Sequence, residues 1–139
     1  NAIENNDIDY VINYLANNSF NFIKSLKFIK TSIYSKNLEI FKILLEDKRF
    51  IDKDILNTAL YHSVVYERFY FVEILLTYKE VEPHIENNKT IRDAFNSNNM
   101  EVTYLLYQVK SVRKTLKNDN PILFNAINSK YINHKLISF

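Results

Sequence analysis

The sequence predicts an all-α fold, in the form of a helical-repeat solenoid of about four and a half helix-turn-helix repeats. Three observations support this prediction. A segment with an apolar pair near its end recurs five times, a shorter helical segment precedes it, and the step between copies is nearly constant. The copies start at residues 8, 38, 69, 100 and 132, so the steps are 30, 31, 31 and 32 residues. Chance seldom gives so regular a step over five copies.

The second helix of each repeat is predicted from helical periodicity. In NLEIFKILLEDKR, Glu39, Lys42 and Glu46 fall on one narrow polar stripe, while apolar residues cover most of the remaining surface. This pattern indicates a helix with neighbours on both sides. Glutamate recurs at the position of Glu39 as Glu73 and Glu101, which we interpret as a solvated stripe and not as a catalytic group. The five segments are IDYVINYLA, LEIFKILLE, FYFVEILLT, MEVTYLLYQ and INHKLISF.

The first helix of each repeat is shorter and carries a small residue six positions before the second helix starts. Small residues at that place predict a close approach of two helices. The segments begin at Leu26, Asn57, Lys89 and Pro121, and the first copy retains only AIEN. The small residues are Ala2, Ser32, Ser63, Ala94 and Ala126, and four copies have an aliphatic residue three positions earlier, namely Ile29, Leu60, Ile91 and Leu123.

These repeats resemble the ankyrin repeat, in a divergent form whose second helix ends LLEDKR and runs into a finger such as FIDKD. The best copies are EIFKILLEDKR and YFVEILLTYKEVEP. The resemblance covers the chain as a single domain, residues 1–139, with repeats at about 1–23 (truncated), 24–54, 55–85, 86–117 and 118–139. Tetratricopeptide repeats, with a 34-residue period and a longer first helix, and a non-repetitive helical bundle are the alternatives.

The sequence departs from the ankyrin pattern in the link between the two helices. The Thr-Pro-Leu-His motif that usually opens an ankyrin repeat is also missing. In the link itself, other residues replace the expected glycine. They are Asn6, Lys36, Glu67, Asn98 and Lys130. If the link needs a left-handed residue, asparagine tolerates it, whereas lysine or glutamate costs about 1 kcal/mol.

The two ends of the repeat array are expected to differ from its interior. The first copy begins within its first helix, at Ala2, which exposes the first stacking face unless something covers it. The last copy is more polar, with Asn133, His134 and Lys135 in its second helix, and is a candidate C-terminal cap. Its apolar end LISF is equally consistent with the edge of a continuing stack or with a docking point.

Composition excludes several classes of functional site. The chain has neither glycine nor cysteine, which excludes phosphate-binding glycine loops, disulfides and thiolate metal sites. Its net charge of +2 gives no strong preference for nucleic acid or membrane. No apolar run approaches the roughly 18 residues that a membrane span needs. We therefore expect an intracellular, cytoplasmic protein.

The titratable residues form no catalytic pattern. His62, His84 and His134 lie in different repeats, without an HExxH or paired-histidine motif. Serines and carboxylates are plentiful, but no nucleophile-base arrangement can be recognised. The sequence therefore predicts no enzyme activity, no cofactor, no metal and no small-molecule substrate.

The ankyrin resemblance implies a protein-protein interaction module, or scaffold, that binds another protein or a multi-subunit complex. In ankyrin-like stacks, the first helices and the finger tips form a concave binding surface. Positions beside the small residue are expected to point outward there. They are Thr31, Tyr34, Ser35, His62, Val65, Tyr66, Asp93, Asn96 and Ser97. Tyr34 and Tyr66 are the predicted anchors, because tyrosine gives a large contact area with little loss of rotamer entropy.

Charge along the chain supports a second hypothesis. Residues 108–139 carry six Lys or Arg against one Asp or Glu, whereas residues 41–107 carry eight against eleven. The basic cluster is expected in the finger before the last repeat and consists of Lys110, Arg113, Lys114 and Lys117. These residues are candidates for contact with an anion or nucleic acid. On this hypothesis the chain is an accessory or regulatory subunit of a large assembly, such as a ribonucleoprotein.

Overall fold

The computed structural model describes residues 7–17 and 19–137 of the chain. Over these residues it contains nine α-helices, one short 3₁₀ helix and no β-strand. The predicted all-α class is therefore confirmed. None of the described helices has the length and apolar character needed to cross a membrane. The chain divides into two compact units, residues 1–81 and residues 82–139. The single repeat domain stays a prediction, and each unit is described by itself.

The first unit consists of helices packed in two layers. The helices are α1 (Ile8–Ala16), α2 (Phe22–Tyr34), α3 (Leu38–Glu46), a 3₁₀ helix (Lys48–Phe50), α4 (Lys53–Val65) and α5 (Phe69–Leu75). Helix α2 packs against α3 and α4, α1 packs against α3, and α4 packs against α5. The rings of Phe41 and Phe71, 4.7 Å apart, join α3 to α5. Ile29, Ile40 and Leu56 lie in its core with no exposed surface.

The second unit consists of four helices. They are α6 (Ile85–Asn96), α7 (Met100–Tyr107), α8 (Lys110–Asp119) and α9 (Pro121–Ile137). Helix α6 packs against α7 and α8, and α9 packs against the same two helices. The core of this unit includes Ile91, Val102, Leu106, Leu116 and Ile127, which are all buried.

Three helix pairs, α2–α3, α4–α5 and α6–α7, are joined by the same turn. Its central residue is left-handed, with φ of 59° at Lys36, 60° at Glu67 and 58° at Asn98. The N–H of this residue donates three residues back, and the next N–H donates five residues back, which is the Schellman arrangement. The sequence left open whether these three positions are left-handed, and the structure shows that they are. Asn6 lies outside the described residues.

The predicted starts of the second helices are confirmed in four of the five segments. The second helices begin, as predicted, at Ile8, Leu38, Phe69 and Met100. The small residues of the first helices, Ser32, Ser63 and Ala94, are buried where the helices approach each other, whereas Ala2 lies outside the described residues. The recurring glutamates Glu39, Glu73 and Glu101 are exposed, as a solvated stripe requires.

The last repeat was predicted wrongly. Helix α9 runs without a break through Lys130, and Ala126, which was expected at a helix contact, is exposed. The reason lies in the residue after the expected link. In two of the other pairs this residue is an asparagine that caps the second helix, as Asn37 does by accepting from the N–H of Ile40 at 3.0 Å. Tyr131 cannot supply this cap, because its phenolic oxygen lies at the far end of the ring. Its ring instead packs 5.1 Å from that of Tyr107, and the helix continues through Lys130.

The basic segment before the last repeat was also predicted wrongly as an extended finger. Residues 110–119 form helix α8. Val112 and Leu116, four residues apart, fall on one helical face and are buried, which gives the helix an apolar side to pack. Pro121 then starts α9, a position where its missing N–H costs nothing.

Helix α6 contains a second left-handed segment. Glu86, Asn87 and Asn88 have φ between 53° and 58°, so regular helix begins at Lys89, the residue from which the sequence predicted it. Arg92 donates from Nε to the carbonyl of Asn87 at 2.8 Å and from Nη2 to that of Glu86 at 3.2 Å. These bonds satisfy carbonyls that the right-handed helix does not use.

Candidate protein-binding surface

The predicted anchors Tyr34 and Tyr66 meet on the surface of the first unit. Tyr34 is the last residue of α2, Tyr66 follows the last residue of α4, and the two helices pack side by side. The ring centroids are 5.5 Å apart and the planes cross at 84°, the edge-to-face geometry that aromatic pairs prefer. Both rings remain accessible, with 59% and 40% of their residue surface exposed. The pair therefore offers contact area that is already positioned.

Arg68 fixes the backbone beneath this pair. Its Nε donates to the carbonyl of Ile33 at 2.8 Å, its Nη2 to that of Tyr34 at 2.9 Å and its Nη1 to that of Tyr66 at 2.5 Å. These carbonyls lie at helix ends, where backbone acceptors lack partners within the helix. The guanidinium carbon also lies 5.8 Å from the centre of the Tyr66 ring. One side chain thus ties the end of α2 to the end of α4.

His62 extends the aromatic surface along α4. Its ring lies nearly parallel to that of Tyr66, with centroids 6.4 Å apart. A cavity of about 190 Å³ opens beside them, lined by Lys30, Thr31, Tyr34, His62 and Tyr66. Burial is the main cause that lowers the pKa of His62, and the positive charge of Lys30 lowers it further. The lowered pKa favours the neutral imidazole of His62, beside the lysine side chain that lines the cavity.

The remaining predicted residues of the first unit offer a partner fewer hydrogen-bond donors than expected. The Thr31 hydroxyl donates to the carbonyl of Lys27 at 2.8 Å, and the Ser35 hydroxyl donates to that of Thr31 at 2.6 Å. Both hydroxyl protons are thus used within α2, and only oxygen lone pairs remain for a partner. Val65 is exposed beside Tyr66 and adds apolar area.

The other three predicted residues belong to the second unit. Asp93 is half-buried, and Asn96 and Ser97 are exposed at the C-terminal end of α6. They provide a local polar surface in that unit. The nine predicted residues thus form two groups, six in the first unit and three in the second.

The basic residues of the second unit fall on one face of α8. Lys110, Lys114 and Lys117 are exposed and follow the spacing of one helical face. Arg113 differs, because its Nη1 donates to the carbonyls of Tyr107 at 3.1 Å and Gln108 at 2.8 Å. Its guanidinium closes the end of α7, so three of the four predicted cations are free to meet an anion.

Sequence reasoning missed Arg68 and Lys30. Lys30 lies one position before Thr31, and the prediction placed Thr31, Tyr34 and Ser35 of this helix on the surface but not Lys30. Arg68 lies directly after the left-handed residue Glu67, the place where two other copies have asparagine. An arginine replacing a capping asparagine was the available signal, because it indicates that the link is stabilised in another way.

Comparisons with known proteins add no assignment to this geometry. No family model matches the chain, and no curated protein and no solved structure matches it significantly.

Proposed function

We propose that the chain is a non-catalytic protein-protein interaction module that binds its partner through a tyrosine platform in the first unit. The tyrosine platform consists of Tyr34, His62, Val65 and Tyr66. The observation that carries the proposal is the edge-to-face pair of Tyr34 and Tyr66 on a backbone tied down by Arg68. A surface that is rigid before binding loses little conformational entropy on binding, so more of its contact energy contributes to affinity.

The repeat geometry of the chain supports an ankyrin-like assignment within this proposal. Three helix pairs share one turn, one buried small residue and one register of the second helix. In such repeats the ends of the first helices carry the binding residues, and Tyr34 and Tyr66 occupy that place in successive copies. The proposed role is the display of a preformed surface, with no cofactor and no chemical step.

Affinity capture from the source organism tests the proposal. The full chain is compared with a variant carrying Tyr34→Ala and Tyr66→Ala, at low and high salt and with or without nuclease. Tyr70→Ala, a change at an exposed tyrosine of α5, is the matched control. We expect partners that persist through salt and nuclease, remain with the control and disappear with the double variant. Partners that the double variant retains unchanged would contradict the tyrosine platform as the binding surface.

The exposed lysines of α8 favour a second candidate function, that of an accessory subunit held to a ribonucleoprotein. Contacts to phosphate release counterions, so binding that depends on them weakens steeply as salt increases. The test is charge reversal at Lys110, Lys114 and Lys117, with Lys79→Glu as the control at an exposed lysine of the first unit. This candidate requires that recovery of nucleic-acid-associated proteins is lost with the triple variant, with nuclease and at high salt.

A further inference from the structure

A larger cavity lies along α2, towards its N-terminal end from the tyrosine platform. Its volume is about 640 Å³, within the range of sites that hold ligands of drug size. Residues of α2 form most of its lining, and Tyr10 of α1 closes one side. We call it the α1–α2 groove and define it by Tyr10, Ile23, Lys24, Lys27 and Phe28.

The floor of the α1–α2 groove is apolar and held in place. Phe28 meets Tyr14 edge-to-face with centroids 4.7 Å apart, and it meets Tyr10 in the same way at 6.3 Å. The Tyr14 hydroxyl and the Ser25 hydroxyl are 3.0 Å apart, which fixes the inner ring. Ile23 stands at the edge with 80% of its surface exposed. Apolar surface of this kind is stabilised when a partner covers it.

The rim of the α1–α2 groove is cationic. Lys24 and Lys27 are exposed and line it, and the Lys24 ammonium lies 4.9 Å from the centre of the Tyr14 ring. Residues 10–38 contain four lysines and no Asp or Glu. At the start of α1, Asp7 and Asp9 are both exposed, and Asp7 accepts from the N–H of Tyr10 as the helix cap. An occupant that carries apolar groups flanked by carboxylates therefore complements the groove.

The groove favours a helix over an extended peptide. From Ile23 to Thr31 its lining follows α2 for about 12 Å, close to two helical turns. Most backbone groups of α2 in this stretch bond within the helix, and the N–H of Lys24 is capped by the Asn21 side chain, so the wall has no row of free groups that could pair with an extended strand. A helix satisfies its own backbone and buries only side chains, which is what an apolar groove accepts.

A second copy of this chain is a poor occupant. Helix α9 has exposed apolar residues, with Ile122 84% and Leu136 65% exposed. However, residues 121–139 carry Lys130 and Lys135 and no acidic residue. Placing this helix beside Lys24 and Lys27 would bring like charges together, which disfavours association.

We infer that the α1–α2 groove binds an acidic amphipathic helix of a partner protein. The apolar stripe of that helix lies against Tyr10 and Phe28, and its flanking carboxylates meet Lys24 and Lys27. This inference goes beyond the tyrosine platform, since it assigns a separate surface and a defined partner chemistry. The two surfaces have no residue in common, and the cavities beside them share only Thr31 in their linings.

Selection from a peptide library tests the chemistry. The library consists of helices of about fifteen residues with a fixed leucine stripe at i, i+3, i+4 and i+7 and with Glu, Gln and Lys in equal amounts at the flanking positions. After selection on the full chain, we expect Glu to exceed Lys at these positions about tenfold. We expect the selected peptide to shift the NMR signals of Tyr10, Ile23 and Phe28. Equal use of the three residues, enrichment of Lys, or shifts confined to other residues would overturn the inference.

Charge exchange tests the location. Lys24→Glu with Lys27→Glu should weaken the selected peptide about tenfold or more, and a peptide with Lys in place of Glu should regain affinity for this variant. Lys42→Glu, at an exposed position of α3, is the matched control and should change nothing. Circular dichroism checks the fold of each variant. Binding of a peptide with Gln in place of Glu to the unaltered chain measures the contribution of the peptide's carboxylates without any change to the protein. Equal binding of the Glu and Gln peptides overturns the inference.

The tyrosine platform serves as an independent control in the same assay. The Tyr34→Ala and Tyr66→Ala variant should bind the selected peptide with unchanged affinity, so failure of the proposed function leaves this result intact. Loss of the peptide in that variant, with binding retained by the Lys24→Glu and Lys27→Glu variant, would place the peptide on the platform and overturn the α1–α2 groove as its site.

Discussion

Glycine substitution at repeat-equivalent positions should change stability in opposite directions along this chain. Lys36 and Glu67 have φ of 59° and 60°, whereas Lys130 lies inside helix α9. All three side chains are exposed, so little packing is lost in any of the variants. The sign of the change in stability therefore depends on the backbone conformation. The three positions are equivalent in the repeat alignment, but their backbone conformations differ in the structure.

The magnitudes follow from the conformational cost of each backbone. A left-handed conformation costs a residue with a Cβ atom about 1 to 2 kcal/mol, which glycine avoids. Part of this gain is lost because glycine increases the entropy of the unfolded chain, by about 0.4 to 1 kcal/mol. We expect Lys36→Gly and Glu67→Gly each to raise the free energy of unfolding by about 0.5 to 1 kcal/mol. Lys130→Gly should lower it by about 1 kcal/mol, as glycine does inside a helix.

Denaturant unfolding followed by far-UV circular dichroism measures these changes, and amide hydrogen exchange assigns each of them to its own helices. Asn98→Gly is the internal control, because asparagine already tolerates φ of 58° and should gain only a few tenths of a kcal/mol. If Lys130→Gly stabilises the chain as much as Glu67→Gly does, helix α9 breaks at Lys130. The argument that Tyr131 cannot cap a second helix would then be refuted.

Three further changes test the interactions around the repeat links. Arg68→Ala should lower the free energy of unfolding by about 2 kcal/mol, since three carbonyls lose a charged donor. A change below about 0.5 kcal/mol in denaturant unfolding would mean that water replaces the guanidinium as the donor. Ser63→Ala should be neutral or stabilising, because the buried Oγ of Ser63 has no hydrogen-bond partner. Ser32→Ala removes a 2.7 Å hydrogen bond and should lower the free energy of unfolding by about 1 kcal/mol. Equal losses of stability for the two variants in thermal unfolding would contradict this. Because folding lowers the pKa of His62 through burial and then through Lys30, the unfolded chain takes up the proton first as the pH falls below 6.5, and stability decreases there. His62→Gln should therefore be relatively more stable at pH 5.5 than at pH 7.5, and an equal difference from the unaltered chain at both pH values would exclude this coupling.

The sequence predicted those parts of the fold that depend on local backbone chemistry. Apolar periodicity located the starts of the second helices, and the recurring small residue located the helix contacts. The left-handed links were considered but not predicted, because lysine and glutamate are costly in that conformation. The Schellman hydrogen bonds at Lys36, Glu67 and Asn98 show why no glycine is required, since two backbone hydrogen bonds hold each turn.

The parts that were predicted wrongly depend on contacts between distant residues. Helix α8 was expected to be an extended finger, because its sequence lies in the connection before the last repeat. Helix α9 was expected to break, because Ser129 and Lys130 align with two working links. The ring of Tyr131 instead packs 5.1 Å from that of Tyr107, a contact that periodicity along the chain does not reveal.

The sequence predicted the aromatic residues of the candidate surface but not its charged residues. The reason is that arginine and lysine have different roles in this chain. Each of the four arginines donates to backbone carbonyls, as Arg49 does to those of Leu15 at 2.5 Å and Asn17 at 3.0 Å. A planar guanidinium with several donors can bond two or three carbonyls at once, which an ammonium on a flexible stem does less well. In this glycine-free chain, arginine thus closes helix ends and the exposed positive charge belongs to lysine. A count of Lys and Arg together therefore overestimates the positive charge that α8 exposes. The same count gives no indication of the cationic rim on α2, which consists of Lys24 and Lys27 and includes no arginine.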